Sequence, residues 1–138
     1  FYSAAEAERL KDHRPLPMLK VMDFISDMGA AYKAADLVIS RAGASSISEF
    51  CLIGKPVILV PSPNVAEDHQ TKNAMALVNR NAALLVRDTD APEALLQLAV
   101  DTVTDNEQLA QLSENIKKLG KPNSADVIAD EVLKLAGK

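Results

Sequence analysis

Two short apolar runs without polar alternation limit the folds that this chain can adopt. They cover residues 37–40 and 57–60, Leu-Val-Ile-Ser and Val-Ile-Leu-Val. A strand buried on one face alternates apolar and polar residues, whereas a continuous apolar run is typical of an inner strand of a parallel sheet covered by helices. The segment between the runs has Gly43 near its start and Gly54 at its end, which suits a loop followed by a helix. The sequence therefore predicts a β-loop-α-β unit and an α/β fold, with both runs as inner parallel strands.

The rest of the chain extends this pattern. Apolar spacing predicts further helices over residues 1–14, 27–35 and 70–80, and further strands over residues 18–22 and 82–86. Ser26 is a natural N-cap for the second of these helices. Past Asp88 the period becomes purely helical, and Pro92 suits a first helical position. The last part of the chain is predicted as a helical tail whose apolar faces are Leu95, Leu96, Ala99 and Val103; Leu109, Leu112, Ile116 and Leu119; and Val127, Ile128, Val132 and Leu135.

Length, charge and cysteine content narrow the class of protein. A chain of 138 residues suits one domain with a single core. Its net charge of −4 disfavours nucleic-acid binding, which needs clustered cations. One cysteine, Cys51, forms no internal disulfide and fits a reducing compartment, and no apolar run approaches the roughly 20 residues needed to span a bilayer. We therefore expect a cytosolic domain, and the start at Phe1 rather than Met suggests a piece of something longer.

The loops that follow the predicted strands collect the polar residues. Ligands of open parallel sheets bind at the carboxyl ends of the strands, which here are followed by residues 23–27, 40–46 and 61–70. In the middle loop, Gly43 and Ala44 permit close approach to the backbone. Ser45 and Ser46 present N–H groups at a helix N-terminus, which suits a phosphate or sugar hydroxyls. The alternative is structural, because Ser46 and Glu49 also fit a capping box.

The loop over residues 61–70 is long for a β–α connection and carries side chains that can pair with hydroxyls. In the structural alternative, Asp68 is the N-cap of the next helix, and His69 and Gln70 are solvated residues of its first turn. His69 lacks a helical partner at i+4, so we expect no metal site.

Arg41 directly follows a predicted buried strand, where it could meet a phosphate or pair with Asp36 or Glu49. Cys51 lies one turn from Ile47 and is expected to pack in the core. The sequence contains no Ser/His/Asp ordering and no G-x-S-x-G turn, so no hydrolase site is indicated. The residues by themselves indicate a ligand-binding α/β domain.

Four ordered segments carry a resemblance to a known family. They are Phe-Ile-Ser-Asp-Met at 24–28, Asp-Leu-Val-Ile-Ser-Arg-Ala-Gly-Ala-Ser-Ser-Ile-Ser-Glu at 36–49, Gly-Lys-Pro-Val-Ile-Leu-Val-Pro at 54–61 and Glu-Asp-His-Gln-Thr-Lys-Asn-Ala at 67–74. In these segments the chain resembles the C-terminal domain of the MurG family of GT-B glycosyltransferases. Members transfer N-acetylglucosamine (GlcNAc) from UDP-GlcNAc to lipid I, giving lipid II for the bacterial cell wall. The resemblance covers nearly the whole chain and implies a Rossmann-like parallel sheet.

The resemblance also implies roles for individual residues. Ile25 would meet the uracil through its backbone, and Glu49 would accept hydrogen bonds from the ribose hydroxyls. The segment Gly43, Ala44, Ser45 and Ser46 would line the diphosphate and sugar, and His69 and Gln70 would address the sugar hydroxyls. A capping role and a ribose contact of Glu49 need not exclude each other, because a carboxylate has about four acceptor sites.

Family members have two Rossmann-like domains with the active site between them. The resemblance therefore implies that residues 1–138 are one incomplete C-terminal UDP-sugar-binding domain, inactive alone, of an inverting UDP-GlcNAc-dependent hexosyltransferase. No catalytic residue and no cofactor is expected in this chain. The acceptor, lipid I, would be bound by the N-terminal domain, on the cytoplasmic side of the cell membrane. The alternatives are a non-catalytic nucleotide-sugar-binding module, a subunit that needs a separate acceptor-binding partner, and a GT-B enzyme for another sugar donor.

Overall fold

The computed structural model describes residues 20–63 and 68–137. The chain divides into two compact units, residues 1–33 and 34–138. In chain order the elements are α1 (Met28–Ala34), β1 (Val38–Ser40), α2 (Ala44–Ile53), β2 (Val57–Leu59), α3 (His69–Val78), β3 (Leu84–Leu85), α4 (Ala91–Thr104), α5 (Asn106–Lys117) and α6 (Ser124–Leu135). The prediction of an α/β fold ending in a helical tail is confirmed.

Among the described residues, the strands form one parallel sheet in the order β1-β2-β3. Val38 aligns with Val57 and Ser40 with Leu59, while Leu59 also aligns with Leu85 on the other side. The pairing continues past the strand ends, where Val60 donates to the Ser40 carbonyl at 2.9 Å and Val86 to the Leu59 carbonyl at 3.0 Å. The residues that leave the three strands are thereby brought to a single edge of the sheet.

The core is built around β2, whose residues are fully buried together with Val60. Ile58, Val60 and Val86 form a cluster against which Leu95, Leu98 and Ala99 of α4 pack. Successive residues of a strand point to opposite faces, so Val57 and Leu59 supply the other face. Helix α2 packs against α5, and both contribute buried apolar residues: Phe50, Cys51, Leu112 and Ile116.

The prediction that both apolar runs form inner strands is confirmed for β2, whereas β1 lies at the edge of the sheet that the described residues form. In the part of the chain that the structure describes, β1 pairs only with β2, and Ile39 is 43% exposed. An apolar run shows that both faces of a strand can be buried. It does not determine whether a second strand pairs with its free side.

The expectations for the first unit are only partly met. The helix predicted over residues 1–14 and the first residues of the strand predicted over 18–22 lie outside the described residues. Residues 20–22 are exposed and are not in a strand, so the strand predicted there is not formed by the residues that the structure describes. Helix α1 forms as predicted, but its cap is Asp27 rather than Ser26, since Ala30 N donates to Asp27 Oδ1 at 2.8 Å.

The helical tail differs in burial along its length. Asp105 caps α5 by accepting from Gln108 N at 2.9 Å, and Leu112 and Ile116 of that helix are buried. Helix α6 contains no buried residue. No helix in the described ranges is long and apolar enough to cross a membrane.

Candidate functional site

The loop after β1 leads straight into α2. Gly43 is the N-cap residue, with an extended backbone (φ −68°, ψ 143°), and its carbonyl accepts from Ile47 N at 3.0 Å. Gly43 has no side chain that could cap the helix. The N–H groups of the first turn therefore receive no hydrogen bond from this residue, and they face the carboxyl edge of the sheet. A helix end of this kind carries about half a positive charge and attracts anions.

The capping-box alternative for Ser46 and Glu49 is wrong. Because α2 begins at Ala44, Ser46 is its third residue and cannot be the N-cap, and Glu49 lies one turn further on. The short exit from β1, together with the extended geometry of Gly43, starts the helix earlier than the sequence pattern suggests. Ala44, Ser45 and Glu49 are exposed, and Ser46 is half-buried.

Two amide side chains of α3 hold the backbone of Ala42, which is fully buried. Ala42 N donates to Gln70 Oε1 at 3.2 Å, and Asn73 Nδ2 donates to the Ala42 carbonyl at 3.2 Å. Gln70 Oε1 also accepts from Ser62 N at 2.9 Å. Since both partners of Gln70 are N–H donors, its carbonyl oxygen must face them, and its Nε2 is the atom left to meet a ligand.

Asn73 was not singled out in the sequence. The signal that could have found it is its spacing, because residues three apart on a helix share one face and both of these carry amides. Together Gln70 and Asn73 fix the residue that precedes Gly43 and so fix the start of α2.

Arg41 joins the exits of all three strands. Its Nη1 donates to the carbonyls of Val60 at 3.2 Å and Pro61 at 3.3 Å, and it forms an ion pair with Asp88, which follows β3. The sequence offered Asp36 and Glu49 as carboxylate partners and missed Asp88. Parallel pairing explains the pair, because it brings residues 47 positions apart to the same edge of the sheet.

The loop after β2 ends at Asp68, the N-cap residue of α3, in a left-handed conformation (φ 55°, ψ 33°). Its side chain makes no cap hydrogen bond. The prediction that Asp68 is the N-cap residue of α3 is thus confirmed, but its side chain does not cap the helix. A capping side chain normally accompanies an extended backbone, and Asp68 is left-handed. His69, the first residue of α3, is exposed, whereas Gln70 is half-buried.

A cleft of about 430 Å³ opens beside this loop, at the carboxyl ends of β2 and β3. Its walls combine apolar and polar side chains: Pro61, Pro63, Asp68, Thr71, Met75, Leu85, Arg87, Asp88 and Thr89.

Ile25 and Cys51 are two further residues that the sequence singled out. Ile25 is 38% exposed and belongs to the first compact unit. Cys51 is buried, as expected, and burial raises the pKa of its thiol. Within residues 20–63 and 68–137, no cluster of His, Cys, Asp or Glu could hold a metal ion. The structure therefore brings together Arg41, the 43–46 segment and Gln70.

Comparison with known proteins supplies a family for this arrangement. The sequence model of the glycosyltransferase family 28 C-terminal domain matches residues 3–129. A Phocaeicola vulgatus protein named UDP-N-acetylglucosamine–N-acetylmuramyl-(pentapeptide) pyrophosphoryl-undecaprenol N-acetylglucosamine transferase is 72% identical over 123 residues, or 89% of this chain and 33% of its own length. A Bacteroides fragilis protein of the same name is 62% identical over 135 residues, or 98% of this chain and 36% of its own.

A solved structure agrees with these sequence relatives. The crystal structure of Acinetobacter baumannii MurG superimposes with a TM-score of 0.76 at 34% identity, covering 83% of this chain and 35% of that one. The chain thus spans about a third of the length of the curated relatives and of the solved structure that it matches.

Proposed function

Because the chain belongs to the glycosyltransferase family 28 C-terminal domain family, we propose that it is the UDP-GlcNAc-binding part of an inverting hexosyltransferase. The complete protein would transfer GlcNAc to the undecaprenyl-linked acceptor lipid I, giving lipid II for peptidoglycan. The relatives named above carry this donor and this acceptor in their names. The observation that carries the proposal is the start of α2, which has glycine as its N-cap at the carboxyl edge of a parallel sheet.

The N-terminus of α2 suits the diphosphate of a nucleotide sugar. Gly43 and Ala44 keep the approach to the backbone open, and Ser45 and Ser46 add hydroxyl groups beside the first-turn N–H groups. In the proposed reaction a deprotonated acceptor hydroxyl attacks the anomeric carbon while UDP leaves. A helix N-terminus aimed at the diphosphate stabilises the negative charge that grows on this leaving group.

The other contacts are proposed for the nucleoside and the sugar. Glu49, exposed on α2, would accept hydrogen bonds from the ribose hydroxyls, and the backbone of Ile25 would meet the uracil. His69 and the Nε2 group of Gln70 would address the sugar hydroxyls. The Gln70 amide can only donate there, because its oxygen already accepts from Ala42 N and Ser62 N.

This chain is proposed as one domain that holds about half of the donor site and no catalytic residue. The acceptor would be bound by a separate N-terminal domain, at the cytoplasmic face of the bacterial cell membrane, where the protein would be peripheral. No cofactor is needed for the displacement. We therefore expect the 138-residue chain alone to bind UDP weakly and not to turn over.

Substitution of Glu49 tests the donor site in the complete protein. Glu49→Ala should weaken UDP-GlcNAc binding by roughly 1–3 kcal/mol, the cost of losing charge-assisted hydrogen bonds. Calorimetry with UDP and 2′-deoxy-UDP tests the ribose contact directly. The wild-type protein should bind UDP more tightly than 2′-deoxy-UDP, and the variant should lose most of this difference. Glu93→Ala, at an exposed carboxylate of α4, is the control. Unchanged affinity and an unchanged ribose preference in folded Glu49→Ala protein would rule out the ribose contact.

The identity of the sugar is tested separately. Titrations of the wild-type protein with UDP-GlcNAc, UDP-GalNAc and UDP-glucose should show the tightest binding for UDP-GlcNAc. Tighter binding of either competitor would reassign the protein to another donor while leaving the nucleotide site in place.

A further inference from the structure

Residues 41 and 42 hold the loop after β2 through two separate sets of hydrogen bonds. Arg41 Nη1 donates to the carbonyls of Val60 and Pro61. Ala42 N and Ser62 N both donate to Gln70 Oε1. Three consecutive residues of the loop, 60–62, are therefore tied to the exit of β1, and the second set also reaches α3.

Asp88 completes the arrangement from the third strand. The side chains of Arg41 and Asp88 are 33% and 35% exposed, so the ion pair is partly shielded from water. Arg41 Nη1 has two hydrogens, and three protein oxygens already share them: Val60 O, Pro61 O and Asp88 Oδ1. This nitrogen is consequently engaged by the protein, and a phosphate oxygen would have to be met by Nη2 or Nε of the guanidinium.

The carboxylate of Asp88 also holds the guanidinium of Arg41 in place. Two backbone carbonyls carry only partial charges, whereas Asp88 carries a full negative charge and holds the guanidinium against the loop. Without Asp88 the guanidinium would lose the charge that holds it beside the loop, and its hydrogen bonds to the carbonyls of Val60 and Pro61 would weaken.

We propose that Arg41 and Asp88 form a positioning pair that fixes residues 60–62 and, through the hydrogen bond from Ser62 N, Gln70 and its neighbour His69, rather than a phosphate-binding site. This assignment decides between the two roles that the sequence left open for Arg41. Its consequence for ligands rests on the proposed function, in which His69 and Gln70 face the sugar. The pair should then set the affinity for the sugar portion of the donor and leave the affinity for UDP unchanged.

The test compares UDP with UDP-GlcNAc on the complete protein carrying Asp88→Asn, Arg41→Gln or both. Asp88→Asn keeps the shape of the side chain and one acceptor oxygen, so it remains informative if Arg41→Gln does not fold. Each single variant should raise the Kd for UDP-GlcNAc about tenfold while the Kd for UDP stays within about twofold. The double variant should be no worse than either single one, because the two residues act as a unit. Arg80→Gln, at an exposed arginine just after α3, is the matched control and should change neither Kd.

Two other patterns of Kd values would contradict the positioning role. If Arg41 binds the phosphates, Arg41→Gln will weaken UDP and UDP-GlcNAc by the same factor, and Asp88→Asn will leave both unchanged or tighter. Equal losses for both ligands in both variants would indicate general damage to the fold. Either pattern overturns the positioning role.

A measurement without ligand separates this proposal from the proposed function. Ser62 N donates to Gln70 Oε1, so hydrogen exchange at Ser62 and at residues 68–72 reports the loop directly. Both Asp88→Asn and Arg41→Gln should accelerate exchange there and leave α5 unchanged, whereas unchanged exchange at the loop overturns the proposal. If the wild-type protein binds neither UDP nor UDP-GlcNAc, the proposed function fails and the exchange data still decide the role of the pair.

Discussion

Asn73 shows, at the scale of a single residue, how one amide can fix the approach to the proposed site. Its Nδ2 donates to the carbonyl of Ala42, a fully buried residue immediately before Gly43. A buried carbonyl that loses its partner costs more than an average hydrogen bond contributes, because no water replaces the donor. The start of α2 therefore depends on a side chain from α3.

Asn73→Asp should destabilise the protein by about 1–3 kcal/mol, because a carboxylate oxygen would face the Ala42 carbonyl in place of a donor. Urea unfolding measures the change. Asn123→Asp makes the same chemical change at the exposed N-cap position of α6, where aspartate caps about as well as asparagine, and should be close to neutral. Equal stabilities of the two variants would contradict the role given to Asn73.

Cys51 is buried on α2, and burial raises the pKa of its thiol above the ordinary value. The thiol therefore stays protonated in the folded protein at pH values where an exposed thiol ionises. A thiol reagent should label Cys51 much more slowly than an engineered Ala110→Cys at an exposed position of α5, and denaturant should abolish the difference.

The same shift gives a sign for the effect of pH on stability. The folded state holds the thiol proton more tightly than the unfolded state. The stability that this proton contributes is therefore fully present below the pKa of the unfolded thiol, and it is lost as the pH rises from that pKa through the higher pKa of the folded thiol. A Cys51→Ser variant should lack this alkaline loss, and an identical alkaline profile in both proteins would contradict the assignment.

At the scale of an element, α2 has a glycine at each end with a different requirement. Gly54 is the C-cap with φ 69°, and its N–H donates to the Phe50 carbonyl at 2.9 Å. A side chain at this residue would be strained, since the left-handed conformation favours glycine. Gly43 has φ −68°, and a Cβ there would find Ser46 Oγ no closer than 3.8 Å. The fold therefore requires glycine at Gly54 and tolerates alanine at Gly43.

Gly54→Ala should lower stability by about 1 kcal/mol, whereas Gly43→Ala should leave stability within a few tenths. If the donor diphosphate comes close to the backbone at Gly43, the Gly43→Ala variant should nevertheless bind UDP more weakly. Unfolding curves and UDP titrations of both variants check the two halves of this prediction. Full UDP affinity in Gly43→Ala would place the diphosphate away from this residue.

At the scale of the whole molecule, the described chain exposes an apolar face on its last helix. Val127, Ile128 and Val132 of α6 are each more than half exposed, and Leu135 is 88% exposed. Contiguous apolar surface of this kind is uncommon on a protein that works as an isolated monomer.

The 138-residue chain should accordingly bind a hydrophobic fluorescent dye, and Ile128→Glu with Val132→Glu should reduce that binding severalfold. Ser124→Glu adds the same type of charge at the start of α6 and serves as the control. Dye fluorescence that is the same in all three proteins would show that α6 is not the exposed apolar surface.

The sequence could predict every described element that depends on local pattern. The apolar runs indicated the three parallel strands, apolar spacing indicated the helices, and Gly54 marked the C-terminal end of α2. These features follow from residues near one another in the chain, because period, turn chemistry and helix ends are local properties. The motifs also indicated the family, since four ordered segments are more specific than any one of them.

Only the tertiary structure decided which groups meet at the carboxyl edge of the sheet. Arg41 pairs with Asp88, a carboxylate that the sequence did not indicate as its partner, and Gln70 with Asn73 clamps Ala42. It also decided that β1 is an edge strand among the described residues while β2 is central. Such contacts join residues from different strand exits, and the strand order that brings them together is a property of the packed sheet. The sequence by itself determined the elements and the family, and packing determined the partners.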